Sequence, residues 1–149
     1  MRKALAMGAL VVLSAGLTEA ASSAVVPVTL TRAGDVTVTA TYKGKGPVDE
    51  KHAILVFLFD HPNPTAESRP MNLQTIVKNG GTVTFKAVAA STVYVTLVYD
   101  EKSSYDGQSG PPPPGTPIGS YAKAGKPVAI TPGPDAKVTA TFDDSRRWK

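Results

Sequence analysis

The chain has 149 residues, and its 16 lysines and arginines against 12 aspartates and glutamates give a formal net charge of +4. Hydrophobic residues at 42% and charged residues at 19% exclude a disordered chain, and the length allows one domain with a targeting segment. The absence of cysteine excludes disulfides, a lipid-modified cysteine and a cysteine nucleophile.

Residues 1–24 are predicted to be a cleaved signal peptide. Met1-Arg2-Lys3 is basic, and the uncharged apolar stretch Ala4–Leu17 is too short for a comfortable membrane span. Small residues at the spacing of a cleavage site allow the cut after Ala20 or after Ala24. No second long apolar run follows, so the processed protein is predicted to be periplasmic or secreted and to have no membrane span.

Residues 25–149 are predicted to form a single all-β domain. Alternation with period two recurs among β-branched and aromatic residues, whereas helical periodicity is absent. Asp35–Tyr42 alternates apolar residues with threonine, which predicts a strand with one solvated face. His52–Phe59 is apolar on both sides, which predicts a central strand covered on both faces.

A tight turn is predicted at Asn79-Gly80-Gly81, because Asn-Gly readily adopts the positive φ angles of a hairpin. The flanking strands Leu73–Lys78 and Thr82–Val88 would then pair as a hairpin, and Thr92–Tyr99 would extend it to a three-stranded meander. With the remaining segments, the sequence predicts a two-sheet antiparallel Greek-key sandwich of seven to eight strands. Those remaining segments are Val26–Thr31, Val128–Ile130 and Lys137–Phe142.

Two long segments interrupt the strand pattern, and long loops in compact domains are functional or mobile. His61–Met71 contains three prolines, and Glu101–Lys126 contains the four-proline run Pro111–Pro114. Such a run favours the polyproline II conformation. It is predicted to form a stiff loop strapped over a sheet edge, and the alternative is a docking ligand for a proline-reading domain.

The segment Asn79–Asp100, NGGTVTFKAVAASTVYVTLVYD, contains in order a turn, a short strand with phenylalanine, a bend, and a strand with tyrosine and valine. This order resembles the bacterial carboxypeptidase-regulatory-like domains of the broad transthyretin-like (prealbumin-like) group. The resemblance implies a non-catalytic β-sandwich that is often an accessory or surface-exposed module. One branch of the group hydrolyses 5-hydroxyisourate, but its C-terminal Tyr-Arg-Gly-Ser has no counterpart in Phe142–Lys149, so that activity is not carried over.

Few residues are candidates for catalysis. His52 and His61 are the two histidines, and because they lie nine positions apart on a predicted strand and its end, they cannot share a metal. No nucleophile motif of the type G-x-S-x-G surrounds a serine. The sequence therefore predicts that the protein is not an enzyme and that each histidine is a polar residue at a strand end.

Carboxylates recur at predicted strand ends and in one loop, where oxygen ligands could converge on calcium. The alternative is that each aspartate caps a turn. The calcium candidates are Asp60, Asp100, Asp106, Asp143 and Asp144.

Aromatic residues outside the predicted strands are candidates for stacking on a sugar ring. These are Tyr105, Tyr121 and Trp148, and the two tyrosines could instead pack under the proline-containing loop. Trp148 could fold back beside its arginines or lie in a disordered terminus.

The predicted function is an exported, non-catalytic binding or structural module for an unknown protein or glycan partner, without a cofactor. The alternatives are a carbohydrate- or calcium-binding accessory domain and a secreted hydrolase that uses Asp60, Asp100 and Asp106. Self-assembly through the edges of the threonine-rich strands is a further alternative. The basic residues cluster only at Arg146, Arg147 and Lys149, so nucleic-acid binding is not predicted.

Overall fold

The computed structural model describes residues 33–149, and the predicted signal peptide and the predicted strand Val26–Thr31 lie outside this range. The described residues contain strands, turns and bends but no helix, so the predicted all-β class is confirmed. None of them forms a helix that is long and apolar enough to cross a membrane. The strands are β1 (Gly34–Tyr42), β2 (Ile54–Phe59), β3 (Asn72–Ile76), β4 (Thr82–Val88), β5 (Tyr94–Tyr99), β6 (Ile118–Ser120), β7 (Ala122–Lys123), β8 (Lys126–Pro127) and β9 (Lys137–Phe142).

The strands form a three-stranded sheet in the order β4-β1-β9, a four-stranded sheet in the order β3-β2-β5-β6, and the short ribbon β7-β8. Every pair is antiparallel except β1 and β9, which run parallel from Thr37 opposite Lys137 to Tyr42 opposite Phe142. The prediction of a purely antiparallel arrangement is therefore wrong for this pair. Most of the domain separates β1 from β9, and a parallel pair requires such a long connection.

The main core lies where side chains of both larger sheets meet, an arrangement consistent with a β-sandwich. The predicted alternation of β1 is confirmed, because Val36, Val38 and Ala40 are fully buried while the threonines between them are partly exposed. They belong to one cluster with residues of β2 and β5, among them Val56 and Leu97. Burial of these apolar surfaces supplies the main driving force for folding.

Strand β2 is central in its sheet, as predicted, and all six of its residues are buried. Ile54, Val56 and Leu58 face the main core. Leu55, Phe57 and Phe59 point to the opposite face, where they form a second apolar cluster. The four-stranded sheet is therefore covered on both faces, and the cover of its outer face comes from loops.

The predicted hairpin across Asn79-Gly80-Gly81 is wrong, because β3 pairs with β2 and β4 pairs with β1. Gly80 does adopt a positive φ of 75°, but the turn connects the two sheets. The Asn79 side chain explains the difference: it accepts from Tyr42 N–H and donates to Tyr42 C=O, both at 2.8 Å. An amide side chain thus completes the ladder at the end of β1.

The predicted meander is also absent, because β5 pairs with β2 and β6 and not with β4. The predicted short strand Val128–Ile130 is reduced to a single bridge between Val93 and Ile130. The segment Glu101–Lys126 was predicted to be a loop, yet β6 and β7 lie within it.

Replacement of Asn79 by alanine is expected to lower the free energy of unfolding by about 2 kcal/mol, because two hydrogen bonds to the backbone of Tyr42 are lost. Asn79→Asp keeps the acceptor but loses the donor, so its loss should be intermediate. Urea unfolding of the three proteins measures both values. Equal stability of Asn79→Ala and the native chain would show that the turn holds the sheets together without this side chain.

Candidate functional site

An apolar groove lies on the outer face of the four-stranded sheet. We call it the proline groove, because its walls come from the loops 61–71 and 100–117, both rich in proline. Its floor is formed by outward-facing residues of β2 and β5. The residues that line it include Phe57, Phe59, Pro64, Pro70, Thr96, Val98, Tyr105, Pro111, Pro112, Ile118 and Trp148.

Aromatic rings form a continuous surface in this region. The ring of Phe57 lies 6.2 Å from that of Phe59 and 6.4 Å from that of Tyr105, measured between centroids. The Tyr105 hydroxyl donates a hydrogen bond to Gly110 C=O at 2.9 Å. Burial of Tyr105 raises the pKa of its phenol to about 12, and the nearby Asp106 carboxylate adds to this effect.

The loop 100–117 lies directly on the sheet at Gly107. This glycine is buried and has a positive φ of 76°. A Cβ at this position would lie 2.7 Å from Leu73 Cδ2 and 2.8 Å from Leu55 Cδ2, so glycine permits the close approach. The prediction that the proline run straps a sheet edge is corrected here, since the loop covers the face of the sheet.

Two of the predicted calcium ligands stabilise this loop. Asp100 is buried and accepts hydrogen bonds from the backbone N–H groups of Ser104 and Tyr105 at 3.1 and 3.3 Å. Asp106 accepts from the N–H groups of Gln108 and Ser109, and these bonds lower the pKa of its carboxyl. Both carboxylates therefore act as turn caps, the alternative that the sequence left open.

The other three calcium candidates also have local partners. Asp60 is exposed and pairs with His61, Asp143 accepts from Ser145 N–H at 2.9 Å, and Asp144 accepts from the Tyr42 hydroxyl. Within residues 33–149, no three His, Asp or Glu side chains form a group that could hold a metal ion. The predicted calcium site thus has no assembled set of ligands in the part of the chain that the structure describes.

Of the three aromatic candidates, Tyr105 and Trp148 meet in the proline groove. Tyr121 does not join them and packs against the main core instead. The phenol of Tyr105 lies under the proline-containing loop, which agrees with one of its two predicted alternatives.

The position of Trp148 comes from backbone pairing of the C-terminal segment. Trp148 N–H donates to Thr116 C=O at 2.9 Å, and Trp148 C=O accepts from Gly115 N–H at 2.8 Å. A further bond joins Ile118 N–H to Arg146 C=O at 3.0 Å, so the segment lies antiparallel beside the start of β6. Of the two predicted alternatives for Trp148, the disordered terminus is wrong, because these bonds hold the indole at the groove.

The two histidines lie beside different turns, and each bonds an aspartate close in sequence. His52 Nδ1 lies 3.0 Å from Asp49 Oδ1, and His61 Nδ1 lies 2.6 Å from Asp60 Oδ1. The hydrogen bond from His61 lowers the pKa of Asp60. The sequence does not identify Phe57 and Phe59 as groove residues, because a fully apolar strand indicates only that both faces are covered.

Comparison of the chain with protein-family models, with curated proteins and with solved structures finds no match.

Proposed function

We propose that the protein is an exported binding module that accepts an apolar group of its partner in the proline groove. The observation that carries this proposal is the lining of the groove, in which aromatic rings and prolines dominate. Its polar side chains include the uncharged hydroxyls of Thr65, Ser68 and Thr96, and no charged side chain contributes. Ligand sites in proteins are typically concave and apolar with a few such polar groups.

The fixed geometry of the groove supports the same function. Tyr105, Gly107 and Trp148 are each anchored by hydrogen bonds or close packing, so the walls are formed before a ligand arrives. A preformed site loses less conformational entropy on binding than a mobile loop does. The two proline-rich loops thus act as rigid walls.

A carbohydrate ligand is the second candidate, because the rings of Tyr105 and Trp148 can stack on a sugar. A pyranose also requires hydrogen bonds for its hydroxyls, and the groove offers few partners for them. The lining therefore favours an apolar ligand over a glycan.

Export and family membership belong to the same proposal. The basic start and apolar run of residues 1–17 support secretion, and the two-sheet all-β arrangement supports a Greek-key, transthyretin-like accessory module. The strands of the resembling segment, β4 and β5, lie in different sheets. Identification of the N-terminal residue of the protein recovered from a periplasmic fraction tests export, and Ala21 or Val25 is expected.

Fluorescence tests the groove directly, because Trp148 is the sole tryptophan of the chain. N-phenyl-1-naphthylamine, an uncharged apolar dye, is expected to bind the native protein and to quench Trp148 by energy transfer. Thr96→Arg places a long charged side chain on the groove floor and should weaken dye binding about tenfold or more, a loss of about 1.4 kcal/mol.

The matched control is Thr41→Arg, which introduces the same side chain at a half-buried threonine on the outer face of β1. This variant should bind the dye like the native protein. Equal dye binding by both variants would reject the groove as the apolar site. Quenching of Trp148 by a chitin or cellulose oligosaccharide, without an effect of the dye, would favour the carbohydrate function instead.

A further inference from the structure

Three side chains form a continuous hydrogen-bonded relay, and one of them, Ser68, lines the proline groove. His61 Nδ1 lies 2.6 Å from Asp60 Oδ1, and His61 Nε2 lies 2.8 Å from Ser68 Oγ. Because the aspartate is an acceptor, it keeps the imidazole proton on Nδ1. Nε2 is then the acceptor for the Ser68 hydroxyl, which is the order of an orienting acid, a base and a nucleophile.

The surrounding structure holds each member in place. The His61 ring packs edge-on against Phe59, with 5.6 Å between centroids, directly after β2 ends. Besides its bond to His61, Ser68 Oγ accepts a hydrogen bond from Thr65 N–H at 2.8 Å. Ser68 N–H donates to Thr65 C=O at 3.1 Å. The turn 65–68 therefore fixes the serine toward the base.

Ser68 is half-buried and lines the proline groove together with Thr65. A nucleophile beside an apolar groove can attack a carbonyl whose apolar substituent the groove holds. No enzymatic activity is predicted from the sequence, in part because no nucleophile motif surrounds a serine. The relay combines two adjacent residues with a serine seven positions further on, and no G-x-S-x-G motif surrounds that serine.

We propose that Ser68 is an activated nucleophile that accepts the acyl group of a carboxylic ester with a small apolar acyl chain. Ser68 Oγ attacks the carbonyl carbon while its proton passes to His61 Nε2. The bond to the leaving alkoxide breaks, and His61 returns the proton to that oxygen. Water then attacks the acyl-serine, transfers a proton to His61, and releases the carboxylic acid as Ser68 regains its proton.

The proposal goes beyond ligand binding and does not depend on it, because a small ester or phosphonate can reach Ser68 without filling the groove. The chain also contains a matched control. His52 bonds Asp49 through Nδ1 at 3.0 Å in the same way, yet no hydroxyl bonds its Nε2 among the described residues. If the relay activates Ser68, substitution of His61 must therefore slow the reaction and substitution of His52 must not.

The test treats the purified protein with a fluorophosphonate probe and, separately, with p-nitrophenyl acetate. Peptide mass spectrometry is expected to find the phosphonyl group on Ser68, with fluoride as the leaving group. His61→Gln should slow labelling and ester cleavage about 100-fold, whereas His52→Gln should leave both rates unchanged. Asp60→Asn should slow both rates, because the amide has no negative charge and can donate to Nδ1, which shifts the imidazole proton to Nε2.

Labelling of a different residue, or equal rates for His61→Gln and the native protein, would overturn the proposal. Trp148 emission in each variant checks that the fold and the groove are retained. Dye binding by the native protein is measured on the same samples, so labelled Ser68 without dye binding rejects only the binding function. Dye binding without labelled Ser68 rejects only the acyl transfer.

Discussion

Gly119→Ala is expected to lower the free energy of unfolding by about 3 kcal/mol, because the added methyl group has no room. Gly119 lies in β6 and faces Phe142 of β9, where the edges of the two sheets meet. A Cβ at this position would overlap Phe142 Cβ and lie 2.6 Å from Phe142 Cγ. These atoms are close to the backbone of β9, so a rotation of the phenylalanine ring cannot relieve the overlap.

The matched control is Gly133→Ala, because a Cβ there meets no atom within 4 Å and neither glycine has a positive φ. Urea unfolding should place Gly133→Ala within about 0.5 kcal/mol of the native protein. Combining Gly119→Ala with Phe142→Gly, which removes the overlapping Cβ, should cost less than the sum of the two single changes. Additive losses would mean that the overlap with Phe142 is not the cause.

The same substitution should also weaken the proline groove. Ile118 lines the groove and bonds the backbone of Arg146, so a displaced β6 moves both the wall and the C-terminal segment. We expect Gly119→Ala to shift Trp148 emission toward that of exposed indole and to weaken dye binding. Stability and groove geometry thus depend on one close contact between the two sheets.

The strands that the sequence predicts well are those whose burial follows from their own residues. The alternation in Asp35–Tyr42 corresponds to β1, and the doubly apolar His52–Phe59 contains the fully buried β2. Lys137–Phe142 matches β9 in both bounds. In these segments the period of the apolar residues and the pairing in the sheet agree.

The predicted hairpin fails because a local signal does not determine which strand is the partner. Asn79 and Gly80 do form a turn, but the Asn79 amide bonds the end of β1 and directs β4 into the other sheet. The sequence separation between Tyr42 and Asn79 is 37 positions, so no local pattern reveals this contact. Pairing over such distances is decided by the tertiary structure.

The candidate site was predictable only in part. Tyr105 and Trp148 were predicted from their position outside strands, but their meeting depends on the backbone pairing of the C-terminal segment with residues 115–118. Ser68 was not predicted, because its importance arises from a hydrogen bond to His61 across a turn. The interactions that assemble a site on loops are specific to the folded chain.

We expect the protein to lose stability steeply at alkaline pH, because three packed tyrosines resist ionisation in the folded state. Burial raises the pKa of Tyr105 to about 12 and also raises the pKa of Tyr42 and Tyr99. In the unfolded chain a phenol ionises near its ordinary value of 10.0. The stabilisation is therefore complete below pH 10 and is lost as the pH rises through the folded pKa values.

For Tyr105 alone, the free energy of unfolding should fall by on the order of 3 kcal/mol between about pH 10 and pH 12. Tyr105→Phe should be less stable than the native protein by about 1 kcal/mol at neutral pH, because the hydrogen bond to Gly110 is lost. Urea unfolding across this pH range should show the free energies of the two proteins converging and then crossing, since the variant has no phenol at position 105 to ionise. A constant difference at all pH values would contradict the assignment to Tyr105.

The groove and the core should respond to alkaline pH in different ways. Ionised Tyr105 would place an anion against Gly110 C=O, so the loop 100–117 should detach from the sheet and dye binding should be lost with it. Ionised Tyr42 would face the carboxylate of Asp144 and the stacked ring of Tyr99, whose centroid is 4.0 Å away in the main core. In Tyr105→Phe the core tyrosines still ionise, so unfolding at high pH should persist while dye binding survives up to that transition. The native protein should therefore lose dye binding at a lower pH than it unfolds, and Tyr105→Phe should not. This difference would assign the first alkaline transition to the groove, because Tyr105 is the phenol that holds its loop.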